Sequence, residues 1–493
     1  DFNNKKYADP ENLDEKEIGG KFEITNLWKY ISIEFIDALR DAERELNKPK
    51  NPIRKIIDTI QNEIKISDLE SIRNKINDLN NCISSVEQIK NISSDINERL
   101  LEMIGMVYSP QIELTSQLTD DISILSKYIS VIPEDLNNIN ELGLGHLNIL
   151  YIALKLVEYK YNANKGLLNI MIIEEPEAHI HAQRQLKLIK SIQEQCNKSD
   201  VNTQVIMTTH SPLLSSVVHL KNITIVNNKQ PYSLSPNNTK LEDNDYKYLE
   251  KYLDATKANM FFARGVIIVE GPAEALLFPT IAELLGYDFT NNGVSLVDVR
   301  GIGLSRYARI FQRTDEENLL NVPVACVTDR DIMPDCAPKI CINKDYSTLD
   351  TFPSKSKRRW KVESEIDDID SYMDGILSRA DGQNVKTFIS DYWTLEYDLA
   401  YSGLAEDMII VIENLLGKNV NAIKSEYDKY TTPEEKASYI YSFFRRNLIS
   451  KADFAQSFSV HLEEKYDKCI ETFKSKLPNY IVDAIKYVST PIQ

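Results

Sequence analysis

The 493-residue chain is 42% hydrophobic and 27% charged, the balance of a globular protein, and is long enough for two or three domains, each with its own core. A formal charge of −17 excludes a general nucleic-acid coat, since duplex binding draws its affinity from Lys and Arg meeting phosphates. It still admits an enzyme whose acids hold metal ions and whose cations are local. The six cysteines are scattered, and no second pair or nearby His completes a zinc set around Cys336 and Cys341, so reduced thiols are expected. No apolar run approaches the roughly 18 residues of a membrane span, and the polar start DFNNKKYADPEN is unlike a secretory signal. A soluble cytoplasmic protein is therefore expected. Its first residue is Asp rather than Met, as in a chain trimmed or incomplete at its N-terminus.

In chain order, residues 26–130 read as helical. Apolar residues recur at spacings of three and four with charges between, from NLWKYISIEFIDALRDAERELN through LESIRNKINDLNNCISSVEQIKNI. An arm or association surface and a helical cap on its own domain fit this pattern equally. From about 136 the texture changes to ELGLGHLNILYIALKLVEY, NIMIIEEPEAH, TQVIMTTHSP and NITIV, strands alternating with helices, which predicts a parallel sheet covered on both faces. A polar stretch over 227–245 reads as a linker. Alternation resumes with GVIIVE, VSLVDVR and VPVACVTDRD, a second α/β unit, and beyond about 390 the chain is mainly helical.

In NIMIIEEPEAH four apolar residues end in Glu174-Glu175. One acid at such a strand end can reach Mg²⁺ while the next positions a water in line with a γ-phosphate. The strand TQVIMTTHSP ends similarly near His210. These residues resemble the Walker B and switch-histidine loops of ATP-binding-cassette ATPases. The resemblance implies Glu174 at the metal position, where Asp is usual, and Glu175 as catalytic base. LGLGH, with Gly143 and Gly145, resembles a degenerate signature loop, which in that family reaches a partner's ATP. His179 and His181 read as loop or interface residues. No GxxxxGK[ST] phosphate loop is present: around Gly19-Gly20-Lys21 the first glycine position holds Glu15, and Phe22 follows the lysine. Omission of that loop from this chain is the favoured explanation over a defunct site.

A second constellation starts at GVIIVEGPAEALLFP, where a buried strand runs into Glu270, with Glu274 one helical turn on. In VACVTDRD another strand runs into Asp329-x-Asp331, whose carboxylates share a direction by alternation. Open α/β sheets place ligands at this edge. Four acids at one rim raise one another's pKa and ask for cations, and oxygen donors in this number suit Mg²⁺ or Mn²⁺. Two such ions roughly 4 Å apart can clamp a phosphodiester.

Strand–EG–helix followed by strand–DxD resembles the Toprim family, and VDVRGIG (297–303) its intermediate strand and glycine turn. EGPAEALLFP resembles in particular the OLD (overcoming lysogenization defect) nucleases, a family that includes the nuclease subunit of the Gabija anti-phage system. The resemblance implies an α/β protein, an ABC-ATPase-like lobe with a helical insertion followed by a C-terminal Toprim domain with helical additions. The expected segments are a 1–25 remnant of the ATPase lobe, a 26–135 helical dimerisation region, a 136–245 ATPase lobe and a 256–493 Toprim domain. Within DYWTLEYDLA it implies that Glu396 or Asp398 reaches the metals, one of the two only. Within SKADFAQ it implies that Lys451 lies by the scissile phosphate, where an ammonium could stabilise phosphoryl charge. The run KSKRRWK offers Lys355, Lys357, Arg358, Arg359 and Trp360 as a local DNA contact, with Trp360 stacking on a base.

The resulting expectation is a metal-dependent DNA endonuclease regulated by ATP, homo-oligomeric, acting against phage with a possible helicase-like or other defence partner. A Toprim topoisomerase or primase is a rival enzyme. An SMC/Rad50-like DNA-binding protein, without cleavage, is a rival of another class.

Overall fold

The computed structural model describes residues 30–38, 42–48, 51–60, 63–104, 111–118, 129, 141–162, 168–198, 203–301, 303–417, 420–467 and 469–491. The segment expected at 1–25, with Gly19-Gly20-Lys21, lies outside them. The chain divides into two compact units, Asp1–Thr209 and His210–Gln493, each described by itself.

In the first unit, strands β1 (Ile31–Ile36), β2 (Leu168–Glu174) and β3 (Thr203–Thr208) form a parallel sheet in that order. This corrects the helical reading at residues 31–36. Within ISIEFI the apolar residues alternate, a period of two that suits a strand, and parallel pairing with β2 settles the backbone. Two short helices follow, Ala42–Asn47 and Pro52–Ile60. Then come α1 (Ile66–Ser85) and α2 (Glu87–Ile104), separated by Val86 alone. The helix α3 (Leu144–Asn162) packs Leu147, Tyr151 and Tyr159 onto Ile36, Met171 and Ile173, the buried face of the sheet, and α4 (Ala182–Lys198) links β2 to β3. A charged cluster lies in the same layer: Lys155, 6% exposed, pairs with Glu34 and with Glu158 at 3.1 Å, and Lys55 reaches Glu158 at 2.9 Å.

In the second unit, a hairpin of β4 (Thr224–Asn227) and β5 (Gln230–Ser233) precedes the main sheet. That sheet contains β6 (Gly265–Val269), β7 (Val294–Asp298), β8 (Val324–Thr328) and β11 (Val385–Ile389), all parallel, in the order β11-β8-β6-β7. The short strands β9 (Ile332–Met333) and β10 (Lys361–Val362) pair beside it. Alternate residues of β6 enter different cores. Ile267 and Val269 join α5 (Pro272–Leu284) and the C-terminal helices, whereas Val266 and Ile268 join Met260, Tyr307 and Leu249. Each fully buried aliphatic side chain contributes roughly 1.5–3 kcal/mol, so the unbroken apolar strand is what fixes this sheet between two layers.

The C-terminal layer comprises α6 (Leu395–Leu399), α7 (Ala405–Leu416), α8 (Pro433–Arg445), α9 (Lys451–Tyr466) and α10 (Asn479–Ser489). At Gly265 a Cβ would lie 2.1 Å from the Val488 carbonyl oxygen, so glycine alone lets α10 close on β6. Cys82, Cys326, Cys336, Cys341 and Cys469 are free thiols, with Cys326 and Cys341 buried. No described helix is long and apolar enough to cross a membrane.

Candidate metal centre

Strands β6 and β8 end side by side at one edge of the sheet. Beyond β6 the chain passes Glu270 and Gly271 and enters α5 at Pro272, a residue suited to a first turn because it has no N–H to leave unsatisfied. The Gly301 N–H donates to the Glu270 carbonyl at 2.6 Å, and the Thr328 hydroxyl donates to its carboxylate. Glu274 occupies the first turn of α5 with its carboxylate folded back towards Gly271, where a Cβ would stand 3.2 Å from Oε2.

The turn after β8 is held by the segment after β11. The Ser390 N–H donates to the Thr328 carbonyl at 3.0 Å, and the Arg330 N–H to the Ser390 hydroxyl at 2.7 Å. The Asp331 N–H donates to the Trp393 carbonyl at 3.2 Å, and the Leu395 N–H to Asp329 Oδ1 at 3.1 Å. This last bond caps α6, so Asp329 serves the helix start and the rim together. Asp331 has φ +60°, a conformation that a residue other than glycine keeps only when its surroundings impose it.

The capped helix delivers Glu396, 1% exposed. Its Oε2 lies 2.7 Å from Lys451 Nζ, and its Oε1 is buried with no hydrogen-bond partner. Lys451 opens α9, and its ammonium also stands 5.8 Å from the centre of the Tyr441 ring.

Glu270, Glu274, Asp329 and Glu396 act on one another electrostatically. Burial, and then Glu396, push Glu274 up to about 7. Burial, then Glu274, hold Asp329 well above the usual carboxylate range. Burial raises Glu270 too, against the Thr328 hydroxyl. Desolvation raises Asp331, opposed by the Trp360 indole and by Arg359. For Lys451, burial disfavours the charge, but Glu396, Tyr441 and Asp329 outweigh it and raise the pKa.

All the donors are carboxylate oxygens, the chemistry of Mg²⁺ or Mn²⁺. Among the described residues no three His, Cys, Asp or Glu side chains already converge on one ion position, and Lys451 holds Glu396 in place of a metal. By donor type, by the crowding of like charge and by the orphaned Glu396 oxygen, the set fits a hard divalent cation.

Residues 3–214 match the family described as an AAA ATPase domain, and residues 261–331 the overcoming lysogenization defect protein-like TOPRIM domain. The chain thus joins a match to an ATPase domain and a match to an OLD-like TOPRIM domain. It is 25% identical to an endonuclease GajA of Bacillus cereus (strain HuB5-5) over 72% of this chain and 54% of that protein. To an OLD nuclease of Thermus scotoductus it is 22% identical, over 63% of this chain and 59% of that protein. Among solved structures, the C-terminal region of the Xanthomonas campestris pv. campestris OLD protein shares 26% identity, covering 46% of this chain and 96% of that one, with a TM-score of 0.29. The chain spans about half the length of the curated relatives it matches.

Within the Toprim unit, two sequence expectations need correction. Asp398 is fully buried and accepts from the Tyr392 and Trp393 N–H groups at 3.1 and 3.0 Å, so it holds the turn before α6, and Glu396 is the acid that faces the rim. Burial pushes Asp398 up to about 7. In the basic run, Arg358 is 2% exposed and forks onto Glu365 at 2.7 and 2.5 Å, and Trp360 packs edge-on against Trp393 at 5.3 Å. Neither is placed to meet a nucleic acid. Lys355, Lys357 and Arg359 are exposed. Sequence reading missed Arg379, exposed and electrostatically coupled to both Glu270 and Asp331, and Thr328, the hydroxyl on Glu270. No motif marks Arg379, whereas Thr328 directly precedes the DxD.

In the ATPase unit, Glu174 closes β2, and its Oε2 accepts from the Ala38 N–H at 3.3 Å. Glu175 follows at φ +41°, with its N–H on the Thr208 carbonyl at 3.0 Å. The loop continues to His179 at φ +61°, and here the glycine-containing segment has an internal reason: at Gly145 a Cβ would lie 2.5 Å from the His179 carbonyl oxygen. The Asn148 amide donates to the Ala178 carbonyl at 2.8 Å and fastens α3 to the same loop. At Gly143 a side chain would meet open space. His210, two residues beyond β3, falls in the other unit.

Proposed function

We propose that this protein is a metal-dependent DNA endonuclease of the OLD type, regulated by nucleotide at its ATPase unit. The observation that carries the reading is the meeting of Glu270, Glu274, Asp329 and Glu396, from three separate stretches of chain, at one sheet edge with Lys451 among them. With them stands Asp331, coupled to Glu270.

Glu270, Glu274, Asp329, Asp331 and Glu396 would hold two divalent ions, which supply an activated water and charge stabilisation for phosphodiester hydrolysis. Lys451 offers its ammonium to charge developing on the phosphoryl oxygens once metal takes over Glu396. Exposed Lys355, Lys357, Arg359 and Arg379 steer the DNA backbone to a chain of otherwise negative charge. Glu174 and Glu175, with the Gly143–Gly145 segment, would form part of an ATP site that controls cleavage, which itself needs no external energy source. A homo-oligomer acting in anti-phage defence, with a partner protein, completes the reading and rests on the motif resemblance to the OLD nucleases.

The test is supercoiled plasmid incubated with Mg²⁺ or Mn²⁺, with and without ATP. Nicked or linear product is expected from the wild type, and none from Glu270→Ala or Asp329→Ala with an unchanged circular dichroism spectrum. Full activity in both variants rejects the site. Sealed topoisomers would point to a topoisomerase, and retention without cleavage to a DNA-binding protein.

A further inference from the structure

Trp360 belongs to the basic run KSKRRWK, yet its side chain is only 6% exposed. The parallel pairing of β9 with β10 explains where it goes. Ile332 faces Lys361 and Met333 faces Val362, so one step back in the same register Asp331 faces Trp360. Both segments entering this short ladder carry a left-handed residue other than glycine, Asp331 at φ +60° and Arg359 at φ +80°. Such backbone persists only where its surroundings impose it. The Trp360 ring is fixed from several sides. It stands edge-on to Trp393 at 5.3 Å and 6.3 Å from the Tyr441 ring, with the Arg359 guanidinium 4.6 Å from its centre. Its indole N–H acts as hydrogen-bond donor to the Asp331 carboxylate, and no other donor to that carboxylate is found among the described residues. The neighbouring Trp393 gives the contrast, because its indole nitrogen is buried with no partner.

We infer that Trp360 is a positioning residue of the metal centre, its indole N–H holding the Asp331 carboxylate in the orientation that serves the rim. The inference rests on the metal-dependent reading above and adds to it a residue outside the acids. The backbone of Asp331 is already anchored, its N–H on the Trp393 carbonyl at 3.2 Å, so the carboxylate is the part left to orient. An ionised carboxylate offers about four lone-pair sites, and one N–H leaves the others for a cation. Without that donor the carboxylate turns freely, and a cation has to immobilise it on binding. Partners that orient a ligand in this way characteristically govern about 10- to 100-fold in metal affinity. The rigid cage of Trp393 and Tyr441 suits the role, since a donor directs its acceptor only as firmly as it is itself held.

The test uses the full chain and Trp360→Phe, which keeps an aromatic ring against Trp393 and Tyr441 and deletes the donor. By titration calorimetry this variant should bind Mn²⁺ about tenfold more weakly than the wild type. Made in an Asp331→Ala background, the same change should alter Mn²⁺ affinity by less than about twofold, because the acceptor is already gone. The chain has three tryptophans, so a ¹⁵N-indole spectrum in chelator reads the contact without metal. Asp331→Ala should move the signal that Trp360→Phe removes, and move it more than the other two. Equal losses of Mn²⁺ affinity in both backgrounds would mark a packing role and overturn the inference. An unmoved Trp360 signal does the same, and if Trp360→Phe fails to fold, the absence of any indole shift in Asp331→Ala still overturns it. A wild type that binds no Mn²⁺ overturns the metal centre itself, and this role with it. Tight wild-type binding matched by Trp360→Phe overturns this role alone.

Discussion

Replacing Lys451 by Met removes the one cation paired with Glu396 among the described residues. The pair is 2.7 Å apart with Glu396 1% and Lys451 44% exposed, so its direct attraction is about 6 kcal/mol at an effective dielectric of 20. Desolvation offsets much of that, and half-exposure of the lysine screens more, leaving an expected loss of about 2–3 kcal/mol in metal-free protein. In a unit of this size that lowers Tm by about 4–10 °C. Mn²⁺ should then raise the Tm of Lys451→Met more than that of the wild type, because the metal replaces the missing positive charge. The double variant Lys451→Met/Glu396→Gln should regain most of the apo stability yet lose the Mn²⁺ response. Differential scanning fluorimetry in chelator and in Mn²⁺ measures all three proteins. Equal Tm values for wild type and Lys451→Met in chelator, or equal gains on adding Mn²⁺, would falsify the view that Lys451 stands where a cation belongs.

Asp398→Asn cannot accept from both backbone N–H groups, so it should cost about 1–3 kcal/mol in urea unfolding while the folded protein keeps its Mn²⁺ affinity by calorimetry; Glu396→Gln should show the reverse. Gly145→Ala forces a methyl group against the His179 carbonyl and should destabilise the ATPase unit by about 1–3 kcal/mol, with loss of any nucleotide response, measured by thermal unfolding with and without ATP. Burial alone would raise the Asp407 pKa, but Lys465, His461 and Tyr466 outweigh it and hold the carboxyl below its ordinary value. Because the folded-state pKa is the lower one, this stabilisation is complete above the unfolded carboxylate pKa and is lost as pH falls through the folded value. Asp407→Asn should accordingly lose stability at pH 7 and flatten the acid limb of a denaturation-against-pH curve. Neutralising Lys355, Lys357 and Arg359 together should lower the slope of log affinity against log salt for DNA by up to about 3, whereas Trp360→Ala should act mainly by unfolding, at about 3–5 kcal/mol.

What the sequence determined by itself lies where short-range pattern and chemistry coincide. Unbroken apolar runs ending in acids, VIIVE and VACVTDRD, become β6 and β8 with Glu270 and Asp329 at their ends, because a strand buried on both faces can place a charge only at its edge. β2, fully buried on alternate residues, likewise ends in an acid, Glu174. The tertiary structure decided the rest. ISIEFI carries too short a period to outweigh the helical texture around it, and it became a strand because β2 offered a parallel partner. Glu396 and Asp398 are the same kind of residue two positions apart, and only the backbone of Tyr392 and Trp393, folded over Asp398, separates a turn-holding acid from a rim acid. Trp360 reads as a surface aromatic in a basic run, yet Trp393 and Tyr441, from distant segments, enclose it. Local sequence fixes which groups end a strand; whether a polar or aromatic side chain then meets solvent, a metal or the core depends on neighbours remote along the chain, which only packing brings together.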